Sequence, residues 1–592
     1  MAKTLRRARR SRRARTLTPE ASRATGRRIT RRELLATAAA LTLAGCAPAV
    51  AHHTSMPTST PFSLKRPATL YADGTVPVAL RDAVIRFCAG ATGISGATVA
   101  TDLGAGPDLV LSFGRPPAAY VSAPIGSSPI TALTHLRVPI DAVTSAQLAA
   151  LLDGNIGDWS GAGAPYSLPV HVLAVAGLPL PSGLRLAASA RTVATPDALL
   201  DALRAQPGSL ALAPLEAADW SVRNLGVDGA YPAQGRGMSS QPPLPPYTLQ
   251  VGVSQSLVKQ GLDPKRLALT LAPALIASVP VLDMAVAGDI MLGRGVNNQM
   301  LAHGDYRYPY RLIHDEMQAA DLRVANLECT VSDLVPVPTD PSTFSFVTSS
   351  KAMDGLTWAG LDVVTVANNH ADGPSMPAFL DMIANLRSHG IAVCGGGHTL
   401  DEARRPATAQ AKDLLVAILG YDGISPQGPY ATGGTPGIAP IDLSTLAHDL
   451  AAARQQADLV IPYFHWGIEY TKDPTSDQQR AARTAIDAGA DMVLGVHPHW
   501  VQGIERYKGR LIIYSLGNFI FDQDWSRPTL EGMLLHLYWR GTTLAGIRFV
   551  PTLDISRSQP RPMSPAEAVD VFARMWSGTD MLASGQYGPE PE

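Results

Sequence analysis

Two histidines flank a proline at His497-Pro498-His499, directly after the apolar run "DMVLGV". A turn that happens to carry imidazoles and a metal site both account for this pattern. What separates them is how many similar clusters accompany it. Asp289, then Asn326 with Glu328, then Asn368, Asn369 and His370, then His465 with Glu469, and finally Asn518 with Asp522 each close or follow a largely apolar stretch. Buried polar groups without partners cost ~1–3 kcal/mol each, so a shared polar ligand is the economical reason for collecting so many. Mixed carboxylate, amide and imidazole donors suit Zn, Mn, Fe or Mg better than a thiolate-seeking ion. Side chains two apart on an extended segment share a face, so His497 and His499 can serve adjacent ions, with Pro498 fixing φ between them.

Such residues need a scaffold that brings distant segments to one edge. "AADLRVANLEC", "GLDVVTVANNHAD", "ADLVIPYFHWGIE", "GADMVLGVHPHW" and "RLIIYSLGNFIFD" repeat one grammar: apolar strand, polar cluster, then helix. Near-continuous apolar strands alternating with helices predict a largely parallel sheet covered on both faces. Ligands then collect beyond the carboxyl ends of the strands, where each cluster lies. Cys329 follows Glu328, and period-two alternation turns its side chain away into the core.

"GDIMLGR", "NLE", "ANNHADG", "HWGIEY", "GVHPHWVQGIE" and "YSLGNFIFD", in this order over roughly 283–555, resemble the CapA family of poly-γ-glutamate capsule biosynthesis proteins. That family is similar to the calcineurin-like metallophosphatases, which implies an α/β/β/α sandwich with a two-metal centre at the strand ends. The resemblance makes Asp289 a first-metal ligand and Glu328 the bridging carboxylate. Asn369 and His465 complete a second site, His497 and His499 divide between the ions, and His370 takes the general-acid position. Arg294, Asn326, Asn368, Glu469 and Asn518 are left to contact substrate; a surface role for Arg294 and a capping role for Asn518 stay open. One departure matters. The phosphatases end their first strand Asp-x-His, whereas this chain has Asp289-Ile290-Met291. A thioether is a poor ligand for a hard cation, so Met291 is expected to pack, and the count of ions stays open at one, two or none.

The rest of the 592 residues fits an envelope protein. "TRRELLATAAALTLAGCAP" resembles a twin-arginine signal (Arg31, Arg32) ending in a lipobox with Cys46 as the lipidated residue. Its apolar segment is too short to span a bilayer as a mature helix. Residues 1 to 33 hold 13 Lys+Arg and 2 acids, leaving 36 basic against 48 acidic residues beyond them. That net charge near −12 excludes nucleic acid or an anionic membrane surface as a partner of the folded part. Cys88, Cys329 and Cys394 remain, an odd number that allows at most one disulfide.

Between linker and CapA-like region, "VPIDAVTSAQLAALLDGNIGDWSGAGAPYSLPVHVLA" and "QPGSLALAPLE" resemble the two-lobed phosphate-type periplasmic binding proteins. The equivalent of their anion loop, "AVAGLPLPSGLRL", keeps Ser182-Gly183 but has no arginine at the strand end, so phosphate binding does not carry over. The expected α/β organisation is a twin-arginine lipoprotein signal at 1–46, a linker at 47–67, a periplasmic-binding-protein-like domain at 68–275, a CapA metallophosphatase-like domain at 280–555 and a tail at 556–592. The Pro/Gly/Ser loop at 234–247 implies that few contacts cross between the two domains.

The expected function is synthesis, export or attachment of a poly-γ-glutamate-like polymer by a metal-dependent hydrolase or transferase. The expected partners are an anionic polypeptide or capsule polymer, the capsule synthesis and export machinery, and the outer face of the cytoplasmic membrane through the lipid anchor only. A non-catalytic polymer-binding assembly factor and a phosphoesterase of other substrate are the alternatives.

Overall fold

Alternating side chains along Val281–Ile290 set the architecture of the C-terminal half. In the computed structural model, Leu282, Met284 and Val286 point into one core while Ala285 and Ala287 point into another. This structure describes residues 62–588 except 89–92, 239–241, 276–278, 339, 341, 372, 374 and 425–428, so the twin arginine, Cys46 and most of the linker lie outside the described residues.

Val281–Ile290 is central in an eight-stranded sheet. Leu322–Leu327, Val363–Thr365 and Ala392–Cys394 follow on one side, all parallel. On the other side Glu531–Arg540, Thr543–Ile555 and Gln559–Pro562 add antiparallel strands. A second, six-stranded sheet runs Ala407–Ala411, Leu414–Asp422, Leu459–His465, Met492–Val496, Arg510–Ile513, Ile504–Tyr507, with its four inner strands parallel. Leu282, Met284 and Val324 of the first sheet share one apolar core with Val416, Ile461 and Leu494 of the second. The outer face of the first sheet packs on helices such as Met376–Ser388 through Phe379 and Met382. That of the second packs on Leu443–Arg454 and Ser476–Asp487 through Leu446, Leu450 and Ala482. The layers are therefore helix, sheet, sheet, helix, a mixed α/β fold.

The sequence pattern of one largely parallel sheet misses two features. "RLIIYSLGNFIFD" is two strands, not one: Arg510–Ile513 joins the second sheet and Asn518–Ile520 joins the first. The chain changes sheets between them, where Gly517 takes φ 68°. The segment after 556 carries a strand, Gln559–Pro562, and a 15-residue helix, Val569–Ala583, whose Val571, Met575 and Trp576 enter the inter-sheet core.

The N-terminal half has two sheets of its own. Five strands including Ala68–Ala72, Leu109–Ser112 and Tyr120–Ser128 form one, and Tyr247–Ser254 returns to it after the chain has built the other. The stretch "TSAQLAALLDG" folds as read: helix Ser145–Leu152 starts in a capping box made by Thr144 and Gln147. More crosses from this half to the other than the 234–247 loop implied. The Trp220 indole donates to the Gly509 carbonyl at 3.1 Å, Arg540 donates to the Pro232 carbonyl at 2.6 Å, and Arg137 pairs with Asp580. Trp220 itself is part of the inter-sheet core. Cys88, Cys329 and Cys394 are buried free thiols. Among the described residues no helix is long and apolar enough to cross a membrane.

Candidate metal centre

Both parallel halves end at the same edge. The first sheet delivers Asp289 and Asn326 at its strand ends, with Glu328 and Asn368–His370 just beyond; the second delivers His465, with His497 following Val496. Asp289 is aimed by an irregularity: strand register shifts between Val286 and Asp289, and again between Asp289 and Ile290. Gly288 makes this possible, because a Cβ there would lie 2.0 Å from the Gly517 carbonyl oxygen of the incoming strand.

The side chains then meet. Asn326 Nδ2 donates to Asp289 Oδ1 at 2.7 Å and lies 3.3 Å from His465 Nδ1. His465 Nε2 is 2.9 Å from Asn369 Oδ1 and 3.1 Å from His497 Nδ1. His499 Nδ1 is 2.8 Å from Asn518 Oδ1, and Asn518 Nδ2 is held by Gln523 and the Thr529 carbonyl at 3.0 and 2.9 Å. Asn368 Nδ2 donates to Asn326 Oδ1 at 3.2 Å, while its own Oδ1 accepts the His370 N–H at 3.2 Å.

The His497-Pro498-His499 segment is not extended, contrary to the sequence expectation. His497 has φ 95° and His499 φ 57°, in the region that L-residues other than glycine avoid. Such conformations cost about 1–3 kcal/mol each and persist where surroundings hold them. Here the His497 N–H donates to Asp289 Oδ2 at 3.2 Å and the Pro498 carbonyl accepts the Tyr470 N–H at 2.9 Å. The two rings still converge, 5.7 Å apart by centroid, because the left-handed turn rather than strand periodicity brings them together.

Electrostatics mark the centre. Glu328 is fully buried, and neither of its carboxylate oxygens has a hydrogen-bond partner. Burial and then the Asp289 charge push its pKa well above the usual carboxylate range. Burial likewise pushes Asp289 up to about 7. Burial holds His465 and His497 well below the ordinary imidazole value, His499 at about 3 and His370 at about 4, so all four are neutral at pH 7. The Glu328 carboxyl, apposed to Asp289 and without a donor of its own, forms with the neutral imidazoles a donor set that fits a divalent cation. Asp289, Glu328 and His499 offer ligand atoms all within 4.8 Å of one another, and so do Glu469, His497 and His499.

A family model described as "Bacterial capsule synthesis protein PGA_cap" matches residues 283–523. Over 286 residues the chain is 32% identical to the PGA biosynthesis protein CapA of Bacillus subtilis (strain 168), covering 48% of this chain and 74% of that one. The chain belongs to the PGA_cap family. Among solved structures, the chain is similar to a phosphatase from Mycoplasma pneumoniae (TM-score 0.32, 13% identity, 50% of this chain and 100% of that one). It is also similar to an ABC-type phosphate transport receptor from Vibrio cholerae (TM-score 0.25, 14% identity, 33% and 89%).

Within this PGA_cap site, Asp289, Asn326, Glu328, Asn368, Asn369, His465, His497, His499 and Asn518 form one connected cluster. His370 stands at its open side, with Nε2 3.9 Å from Glu328 Oε1 and its ring stacked on Phe346 at 3.9 Å. Glu469 is at the rim, 3.8 Å from His499. Arg294 is placed differently from a free anion-binding group: it is buried, ion-paired with Asp522, and lies over Phe346 at 4.5 Å. Met291 packs in the core, its sulfur accepting the Gly293 N–H at 3.1 Å, and Cys329 packs beside it. Sequence reasoning passed over Phe346, Tyr470 and Gln523. Tyr470 stacks on His499 at 5.7 Å, and Gln523 donates to its hydroxyl at 3.3 Å. "HWGIEY" carried a signal for Tyr470; Phe346 sits in a Pro/Ser/Thr-rich loop that carried none.

Proposed function

We propose that this chain is a cell-envelope protein of capsule biosynthesis, and that its strand-end centre is a divalent-cation-dependent hydrolase or transferase acting on a poly-γ-glutamate-like polymer or its linkage. Family membership supports the capsule role. The observation that carries the chemical part is the Glu328 carboxylate, buried without a donor against Asp289 and ringed by neutral imidazoles. Asp289, Glu328, Asn369, His465, His497 and His499 would hold the cation. When bound, a divalent cation polarises an oxygen of the scissile group and acidifies a water. Asn326 fixes the Asp289 carboxyl and the His465 ring, and Asn518 fixes His499, so the donors keep their orientation without substrate. His370, at the open side, moves a proton to or from the reacting group at Nε2.

Export by the twin-arginine route and anchoring through Cys46 belong to the same proposal, supported by "TRREL" and "LAGC". So do partners in the polymer synthesis and export machinery. The test is cleavage or transfer of poly-γ-glutamate by the purified full chain with Mn²⁺ or Zn²⁺. His370→Ala is expected to retain metal and lose ~10²–10⁴-fold in turnover. Metal binding without turnover on the polymer would favour a non-catalytic assembly factor; turnover confined to a generic phosphoester would favour a phosphoesterase.

A further inference from the structure

Met291 leaves the ligand set one donor short of the phosphatase pattern. It is fully buried and its sulfur is already occupied by the Gly293 N–H, so it does not turn toward a cation. We infer that Glu469 is a metal ligand, supplying from the end of the other sheet the donor that the first strand lacks. This rests on the divalent-cation reading above.

Three observations place the Glu469 carboxylate there. First, His499 is oriented by Asn518, whose Oδ1 lies 2.8 Å from His499 Nδ1. An acceptor at Nδ1 fixes the proton on that nitrogen and leaves the Nε2 lone pair for a cation. Second, His499 Nε2 is the atom that faces Glu469 Oε1, at 3.8 Å, and ligand atoms of Glu469, His497 and His499 lie within 4.8 Å of one another. Third, the backbone beside Glu469 is pinned to the histidine turn. Tyr470 takes φ 59°, its N–H donates to the Pro498 carbonyl at 2.9 Å, and its ring stacks on His499. A strained residue held by the very segment that carries His497 and His499 keeps the carboxylate within reach of both. Among the described residues no lysine or arginine forms an ion pair with Glu469. Its side chain is 42% exposed, which leaves the carboxylate accessible to an ion entering from solvent.

The inference is tested on the full chain stripped of metal and titrated with Co²⁺ and Mn²⁺, comparing wild type with Glu469→Gln. The amide keeps the shape and removes the charge. The expected result is binding weakened by at least ~10-fold, the lower bound seen when even an outer-shell partner is removed, with an altered Co²⁺ visible spectrum. Thermal unfolding in chelator should match wild type, which separates ligand loss from misfolding. Equal affinity and an identical Co²⁺ spectrum in both proteins would overturn the role of Glu469 while leaving the cation site standing. Failure of wild type to bind either ion would overturn both.

Discussion

Glu328→Gln should make the protein more stable without metal and less stable with it. In the metal-free fold, both Glu328 oxygens are buried without a partner, and its near neighbour is the Asp289 carboxyl. The substitution removes the buried acid and offers Asp289 an N–H donor. Relieving a buried group of this kind is worth about 1–3 kcal/mol. A cation reverses the order. At 100 times its dissociation constant, a ligand that binds only the folded state adds about 2.7 kcal/mol to wild type, and the variant, lacking a bridging carboxylate, forgoes most of it. Chemical denaturation in EDTA and in excess Mn²⁺ reads both arms, and the two proteins should exchange rank between the conditions. A variant less stable than wild type in EDTA, or equally stabilised by Mn²⁺, would refute the reasoning, because Glu328 would then be a satisfied structural residue.

Acidification should destabilise the metal-free protein. Burial keeps His499 at about 3, His370 at about 4, and His465 and His497 well below the ordinary value, whereas the unfolded chain titrates its histidines near ~6.5. As pH falls below that value the unfolded chain takes up protons that the fold refuses, and stability is lost. Asp289, pushed up to about 7, and Glu328 act in the opposite sense, since the fold keeps protons that the unfolded chain releases above pH ~4. Four imidazoles against two carboxyls give a net loss between pH 6.5 and 5, readable as a falling denaturation midpoint in EDTA; a constant or rising midpoint would contradict it. Cys46→Ser should leave the protein exported but free in the soluble extracytoplasmic fraction, checked by fractionation and intact mass. Unchanged membrane attachment would refute the lipid anchor.

The strand-end cluster was legible because each polar residue follows an apolar run long enough to be a buried strand. Position in such a strand fixes where Asp289 and His465 finish, whatever the rest of the fold does. Strand alternation placed Cys329 in the core, and the poor affinity of a thioether for a hard cation placed Met291 there. Period-two reasoning failed at His497-Pro498-His499, because the strand ends at Val496 and the backbone turns left-handed at His497 and His499 under tertiary restraint. It also failed at "RLIIYSLGNFIFD", where one apolar stretch feeds two sheets. Nothing local says that Gly517 is a crossing point rather than an interruption. Arg294 was read as reaching for a ligand, but its partner Asp522 is 228 positions away in the chain and no local pattern joins them. The seam between the two halves was underestimated for the same reason: Trp220 reads as an isolated aromatic until Gly509 is known to lie beside it.

The measurement that bears most directly on the centre is metal content. The purified full chain, reconstituted with Mn²⁺ or Zn²⁺ and freed of excess, should carry stoichiometric metal by elemental analysis. His497→Ala and His499→Ala should each lose most of it while remaining folded by circular dichroism, since both rings lie within ligand distance of the buried carboxyls or Glu469. Wild type without metal, or both variants with full metal, would reduce the histidine turn to a structural feature and contradict the assignment of a metal centre.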